Sequence, residues 1–358
     1  MKFLAGMLAA AFFAQLASAQ APEVKTAEQV YKNIQQLKGT PADQLNAAMQ
    51  FISASLGVEC ETCHVAEKPE ADDKNAKKTA REMMAMTAAI NKDSFRGQRQ
   101  VTCYSCHRGS IRPVAVPPVQ ESDMPARPTA ATPPVAGAPA PTVDDILAKY
   151  LSAVGGADTM KSITSRVMKG TVMAMGSETA IDLYTKAPNK RVSISHASPT
   201  RDSYTAFDGT VGWLGTTGHA PREMAPTEAF AASLDADFYL VAHLKELFPQ
   251  LRRGRPADVG GAMCETINAS KPGQPAVAFY FDQKTGLLDR MVRSADTPMG
   301  RLPTQIDYAD YREVDGVKTP WRWTLARTAG RFTIQLKEVK NNVPIDDAKF
   351  AKPEGDVK

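Results

Sequence analysis

The spacing of apolar residues changes along the chain, from a period near 3.6 to a period of two. In the first stretch Leu45, Met49, Ile52 and Leu56 stand at i, i+4, i+7 and i+11, one face of a helix. Thr40 is placed to cap that helix, Pro41 to occupy its first turn and Gly57 to end it. A helix is predicted over Thr26–Leu37, and another over about Lys77–Asn91 with Met83, Met86 and Ile90 on its apolar face. A short amphipathic helix opens at Thr142, carries Ile146, Leu147, Tyr150, Leu151 and Val154, and stops at Gly155-Gly156. Alternation then dominates: Val192 and Ile194; Val277, Phe279 and Phe281; Ile306 and Tyr308; Trp321, Trp323 and Leu325; Phe332, Ile334 and Leu336. Turns fall at Gln283-Lys284-Thr285-Gly286, before Leu287–Arg293, and at Asp315-Gly316. Residues about 227–251, with Phe230, Leu234, Phe238, Leu240, Leu244, Leu247 and Phe248, read as a helical insertion. The expected fold is mixed: an all-α N-terminal domain, then an α+β domain with a curved antiparallel sheet and helices on one side.

Between the two patterns, residues 111–141 are rich in Pro and Ala and have no hydrophobic period, as in an extended, semi-rigid linker. At the start, Lys2, the apolar run Phe3–Leu16 and Ala17-Ser18-Ala19 have the order of a signal peptide with an A-x-A cleavage site. The expected organisation is signal peptide 1–19, helical domain 20–112, linker 113–141 and sheet domain 142–358. The apolar run is short for a membrane span, no second candidate appears downstream and no Cys stands directly after the cleavage site to carry a lipid anchor, so a soluble periplasmic or other extracytoplasmic protein is expected. The formal charge of +4 is spread without a basic cluster, which argues against a nucleic-acid partner.

Four of the five cysteines fall in two pentapeptides, Cys60-Glu61-Thr62-Cys63-His64 and Cys103-Tyr104-Ser105-Cys106-His107. C-x-x-C-H is the attachment signature of c-type haem: two thiols form thioethers with one porphyrin, and the adjacent His becomes the proximal iron ligand. A thioredoxin-like dithiol needs a βαβ context that the pattern lacks. Structural zinc would not need a His after both pairs, and two disulfides would not either. Two covalently attached haem c groups are therefore expected, held by Cys60, Cys63, Cys103 and Cys106, with His64 and His107 as iron ligands. Cys264 has no partner motif and reads as an incidental buried thiol.

The sixth iron ligand decides the chemistry. His196, His219 and His243 all lie in the strand-rich region, so the helical region offers Met instead. A Met stripe is ordinarily core, but two irons need a soft ligand. Spacing assigns Met49 to the His64 haem. It does not choose between Met83 and Met86 for the other.

Three segments in order carry a resemblance: Met49–Glu59 leading into CETCH, Ala80–Asn91 (AREMMAMTAAIN), and Val101-Thr102 with CYSCH-Arg108-Gly109. Over residues 28–113 the chain resembles the cytochrome c subunit of photosynthetic reaction centres. The resemblance implies units of a Met-bearing helix, a turn and C-x-x-C-H, with Met49 the distal ligand of the first haem and Met83, in the A-R-x-M pattern, that of the second. Met86 would then be a packing residue. The family's subunit usually carries four haems, and a His between the second Met helix and the next motif. Here there are two motifs and no His in Asn91–Gln100, as in a two-haem relative. Residues 142–358, through Ala206-Phe207-Asp208-Gly209, Gly212-Trp213 and the apolar insertion, resemble the LolA/LolB-like lipoprotein-carrier half-barrel.

The function expected is single-electron transfer between extracytoplasmic redox partners, by a carrier rather than an enzyme. The resemblance implies a redox donor and acceptor, with a membrane-bound reaction centre or respiratory complex among them. The alternatives are a dihaem peroxidase or gas-binding protein, which needs an open iron, and an apolar-ligand carrier acting through the sheet domain.

Overall fold

The structure, a computed structural model, describes residues 24–113, 140–174, 176–198, 201–328 and 330–353. The expected signal peptide and nearly all of the expected linker lie outside the described residues.

The helical segment contains α1 (Ala27–Val30), α2 (Leu45–Leu56), α3 (Asn75–Ser94) and α4 (Cys103–His107). The helix expected over Thr26–Leu37 stops at Val30. Tyr31 turns extended (φ −112°, ψ 147°) and Asn33 is left-handed (φ 59°). Past Val30 the chain bonds to distant partners instead: the Asn33 side-chain amide donates to the Glu70 carbonyl (2.6 Å) and Arg81 donates to the Asn33 carbonyl (3.1 Å), while the start of α1 is tied to residues around 40 by the Ala27 N–H to the Thr40 carbonyl (2.7 Å). Val30 and Tyr31 stay exposed, so no buried stripe rewards a longer helix. Thr40 does not cap α2. A 3₁₀ turn, Ala42–Gln44, starts at Pro41 and runs into it, and Gly57 ends it in the left-handed conformation as expected.

The second segment opens with α5 (Val143–Ala153), capped by Thr142: the Asp145 N–H donates to its hydroxyl (3.2 Å) and the Thr142 N–H to the Asp145 carboxylate (2.8 Å). After α6 (Ala157–Lys161) come β1 (Ser165–Ala174), β2 (Ser177–Lys186), β3 (Lys190–Ser198), β4 (Arg201–Phe207), β5 (Gly212–Thr216) and β6 (Arg222–Glu223). The insertion forms α7 (Pro226–Ala236) and α8 (Leu244–Leu247), but its last residues belong to β7 (Gln250–Arg253). Then follow β8 (Ala257–Val259), β9 (Ala262–Lys271), β10 (Gln274–Asp282), β11 (Leu288–Asp296), β12 (Arg301–Val314), β13 (Val317–Arg327) and β14 (Gly330–Asn341).

These strands make one antiparallel sheet in the order β6-β5-β4-β3-β2-β1-β14-β13-β12-β11-β10-β9-β7, with β8 beside β9. The first and last long strands pair at its middle, and hairpins run outward from them in both directions. The ends, β6 and β7, are short and do not pair with each other, so the sheet is open, as in a half-barrel. Alternation does what the sequence asks of it: Val277, Phe279 and Phe281 are each at most 1% exposed. They meet α5, α7 and α8, with Phe248 edge-on to both Phe230 and Phe279 at 6.4 Å. Among the described residues, no helix is long and apolar enough to cross a membrane.

Candidate functional site

Helix α2 has two working faces. Ala48, Phe51, Ile52 and Ser55 are buried in protein. Phe51 lies against Gly300 in the β11–β12 turn, Arg99 donates to the Thr297 carbonyl of that turn, and the Gly109 N–H donates to the Ser55 carbonyl (2.9 Å). The predicted stripe is offset from this buried face. Leu45 and Met49 are only half-buried and line a cavity of about 1820 Å³ whose wall includes Cys60, Cys63 and His64. Met49 thus shares one cavity wall with Cys60, Cys63 and His64, and that cavity continues into the hollow of the sheet, where Leu183, Tyr308 and Trp323 line it. Met84, on α3, joins the same wall. Met83, Cys103, Cys106 and His107 are not part of that cavity; α4 packs against α2 and α3, and Met83 is half-buried on α3.

Both motif histidines are oriented alike. His64 Nδ1 is 2.8 Å from the Pro69 carbonyl oxygen, and His107 Nδ1 is 3.0 Å from that of Ser110. A carbonyl only accepts, so each Nδ1 carries the proton and each Nε2 is left with a lone pair for a metal. This is the outer arrangement that fixes the tautomer of a metal-ligating His.

Sequence reading missed the residues that build this arrangement. Lys77, buried on α3, donates to the same Pro69 carbonyl (2.9 Å) and to that of Ala71 (2.8 Å). Asp72 pairs with Lys77 (3.1 Å) and Arg81 (2.8 Å), and Arg81 reaches back to the Asn33 carbonyl. The Arg81 guanidinium hydrogen-bonded to it, with the Lys77 ammonium beside it, holds the Asp72 carboxyl well below the usual range. Asn91 fastens the second motif: its amide donates to the Val101 carbonyl (2.7 Å) and its oxygen accepts the N–H groups of Gln100 and Val101 (2.9 Å each). The signal available was a Lys four residues before the Arg of A-R-x-M, which places both on one helical face.

None of the five cysteines is in a disulfide. Burial pushes the Cys63 and Cys103 thiols up, the opposite of an activated redox thiol. Among the described residues no three His, Cys, Asp or Glu side chains converge as a zinc site requires. Cys264 is fully buried on β9, and burial pushes its thiol up to about 12. Cys264→Ser is expected to leave haem content unchanged, measured as haem per chain. His196 bonds Asp202 (2.9 Å) and His243 bonds Asp237 (3.0 Å), both within the sheet segment.

The helical segment fits a haem on a further ground. Among the described residues, every cluster of buried hydrophobic side chains lies between Val143 and Phe350. Of the 20 residues of α3 only Lys77 and Asn91 are buried, and Met86 is 46% exposed. About 90 residues with no apolar core of their own are marginal without a further binding partner. Apolar stripes on α2 and α3, paired thiols, a poised imidazole nitrogen and thioether sulfurs are a donor set and a lining that suit haem c.

Residues 4–187 match the family model described as photosynthetic reaction centre cytochrome C subunit. The chain belongs to that family. Membership places it among the haem c cytochromes. A curated member of the photosynthetic reaction centre cytochrome c subunit family, from Thermochromatium tepidum, is 32% identical over 91 residues, 24% of this chain. The matched stretch spans 22% of that relative's length. Among solved structures, a putative outer membrane lipoprotein-sorting protein domain from Vibrio parahaemolyticus covers 57% of this chain and 97% of its own, at 10% identity and a TM-score of 0.42. The LolA superfamily protein NE2245 from Nitrosomonas europaea covers 60% and 99%, at 11% identity and a TM-score of 0.41.

Proposed function

We propose that this chain is an exported dihaem c-type cytochrome that passes single electrons between extracytoplasmic redox proteins, one of them a membrane-bound reaction centre or respiratory complex. The observation that carries the reading is the matched pair of motifs, each with its His Nδ1 tied to a backbone carbonyl so that Nε2 is offered to iron. Cys60 and Cys63 with His64 would hold the first haem, and Cys103 and Cys106 with His107 the second. Met49 and Met83 would close the irons. A bound haem supplies one reversible electron, at a potential that a Met ligand raises. Lys77, Arg81 and Asn91 keep the imidazoles and motif loops fixed, which keeps reorganisation small. Residues 1–19 act as the signal peptide, 20–112 as the cytochrome domain and 113–141 as the tether to the sheet domain, 142–358.

The test is an optical spectrum of the reduced mature protein with a pyridine haemochrome count, before and after CO. Two haems per chain and no CO shift are expected. A Soret band that shifts with CO would reveal an open iron, and a peroxidase or gas-binding role would replace electron carriage.

A further inference from the structure

The chain around the second motif is basic, and the chain around the first is acidic. From Lys92 to Arg112 the bases Lys92, Arg96, Arg99, Arg108 and Arg112 are all exposed, and Asp93 is the one acid. From Glu59 to Asp73 there are six acids and one base, Lys68. The cations form no run in the sequence; the fold gathers them. The Asn91 carbonyl accepts the N–H groups of Phe95 (3.1 Å) and Gly97 (3.0 Å), and its side chain holds Gln100 and Val101. Lys92, Arg96 and Arg99 therefore stand around one residue. Arg108 follows His107 directly at the far end of α4, in the left-handed conformation (φ 50°). Arg99 donates to the Thr297 carbonyl, while Lys92, Arg96, Arg108 and Arg112 form no ion pair or side-chain hydrogen bond with another described residue. The acid beside that turn, Asp296, is already paired with Arg301 (2.9 Å).

Apolar groups are exposed in the same place. Tyr104, between the two thiols of the motif, is 55% exposed, Ile111 57% and Phe95 38%. α2 and α3 pack on α4 from behind, and Tyr104, Ser105 and Cys106 face outward. Cations alone would be an ordinary solvated face. Exposed aromatic and aliphatic side chains among arginines, with almost no acid, are instead the composition that protein interfaces concentrate. The face also coincides with the motif that would carry the second haem, and the first motif lies in chain of the opposite sign. An anionic membrane would satisfy the cations but holds no redox centre for the motif to meet.

Resting on the dihaem reading, we propose that this face is the docking site of an acidic electron-transfer protein, which brings its own redox centre against the second motif and is turned away from the first by like charge. Lys92, Arg96 and Arg112 meet the partner's carboxylates and steer the encounter, and Tyr104 and Ile111 supply the dry contact at its centre. One electron crosses per encounter, one centre being oxidised as the other is reduced, and no bond is made or broken.

The probe is a reduced plant-type [2Fe–2S] ferredoxin with an acidic surface, whose potential lies far below that of a Met-ligated haem, so that electrons run downhill. Stopped-flow absorbance of the haem bands gives the second-order rate at which it reduces the full-length holoprotein. With Lys92→Gln, Arg96→Gln and Arg112→Gln combined, that rate should fall about tenfold at low ionic strength. Wild type and triple variant should converge near about 1 M salt, where charges are screened beyond about 3 Å. Glu67→Gln with Asp73→Asn, beside the first motif, should not slow the reaction. Haem per chain is counted in every variant. Fewer than two haems in the wild type defeats the dihaem reading, and the docking site with it; two haems with equal rates for wild type and triple variant defeat the docking site alone. A deficit that persists at high salt also overturns it, because the substitutions would then have altered a haem rather than the encounter. So does binding to phosphatidylserine vesicles that the triple variant loses while its ferredoxin rate holds, since the face would then belong to a membrane surface.

Discussion

On the proposed dihaem reading, Met83→Ala is expected to make one haem high-spin and CO-binding, while the other keeps its closed spectrum. Met83 and Met86 are three residues apart on α3, and the sequence pattern alone puts both on one face. The structure separates them. Met83 is half-buried and its carbonyl accepts the Thr87 hydroxyl (2.8 Å), while Met86 is 46% exposed. Met83 is the more covered of the two residues, so it is the one that presents its side chain to the interior. Loss of the thioether opens a coordination position outright. The expected change is thus nearly complete for that haem and absent for the other. A CO difference spectrum of the reduced protein reads it directly, at half the amplitude of a fully open dihaem protein. Met86→Ala should give no CO band; if it does, the ligand is Met86. The same measurement on Met49→Ala should open the first haem. Met84 shares the cavity wall with Met49, so a CO band from Met84→Ala and none from Met49→Ala would move that assignment as well.

How far the chain was legible depended on which interactions each element uses. The sheet was readable because strands such as β10 and β14 bury alternate residues, and that burial is written residue by residue. α2 was readable as a helix, but its two faces were not. The apolar stripe Leu45–Met49–Ile52–Leu56 looked like a core face, whereas the protein-packed residues are Ala48, Phe51, Ile52 and Ser55. Ala and Ser carry almost no hydrophobic signal, and they are chosen here because backbones approach closely. The segment after Val30 was misread for the opposite reason. Its long-range bonds run from the Asn33 side-chain amide to the Glu70 carbonyl and from Arg81 to the Asn33 carbonyl, and such distant partners leave no periodic trace. The motif cysteines and histidines were plain from spacing. The Pro69 and Ser110 carbonyls that orient the imidazoles were not, because any residue supplies a carbonyl.

The close approach of α2 to the second motif makes Gly57→Val the most damaging substitution expected in the helical segment. Gly57 ends α2 at φ 64° and ψ 40°. A Cβ there would stand 2.2 Å from the Gly109 carbonyl oxygen and 3.0 Å from its carbon. The obstacle is backbone, so no side chain can swing away. A β-branched residue in the left-handed region costs about 1–2 kcal/mol. Pushing the two segments apart adds about 1–3 kcal/mol for the overpacked contact. It also adds about 1 kcal/mol for the Gly109 N–H bond to Ser55. The sum, roughly 3–6 kcal/mol, is comparable to the whole stability of a small domain. Gly57→Ala keeps the clash with a lighter backbone penalty and should fall between. Because Gly57 lies three residues before Cys60 and Gly109 two after His107, the contact holds together the segments bearing both motifs. Haem per chain should therefore drop for both sites at once in the valine variant, with protease sensitivity rising over residues 24–113. A full haem count with an unchanged unfolding midpoint would mean that the two motif segments fold independently of each other, and that the α2–α4 contact is incidental to haem attachment.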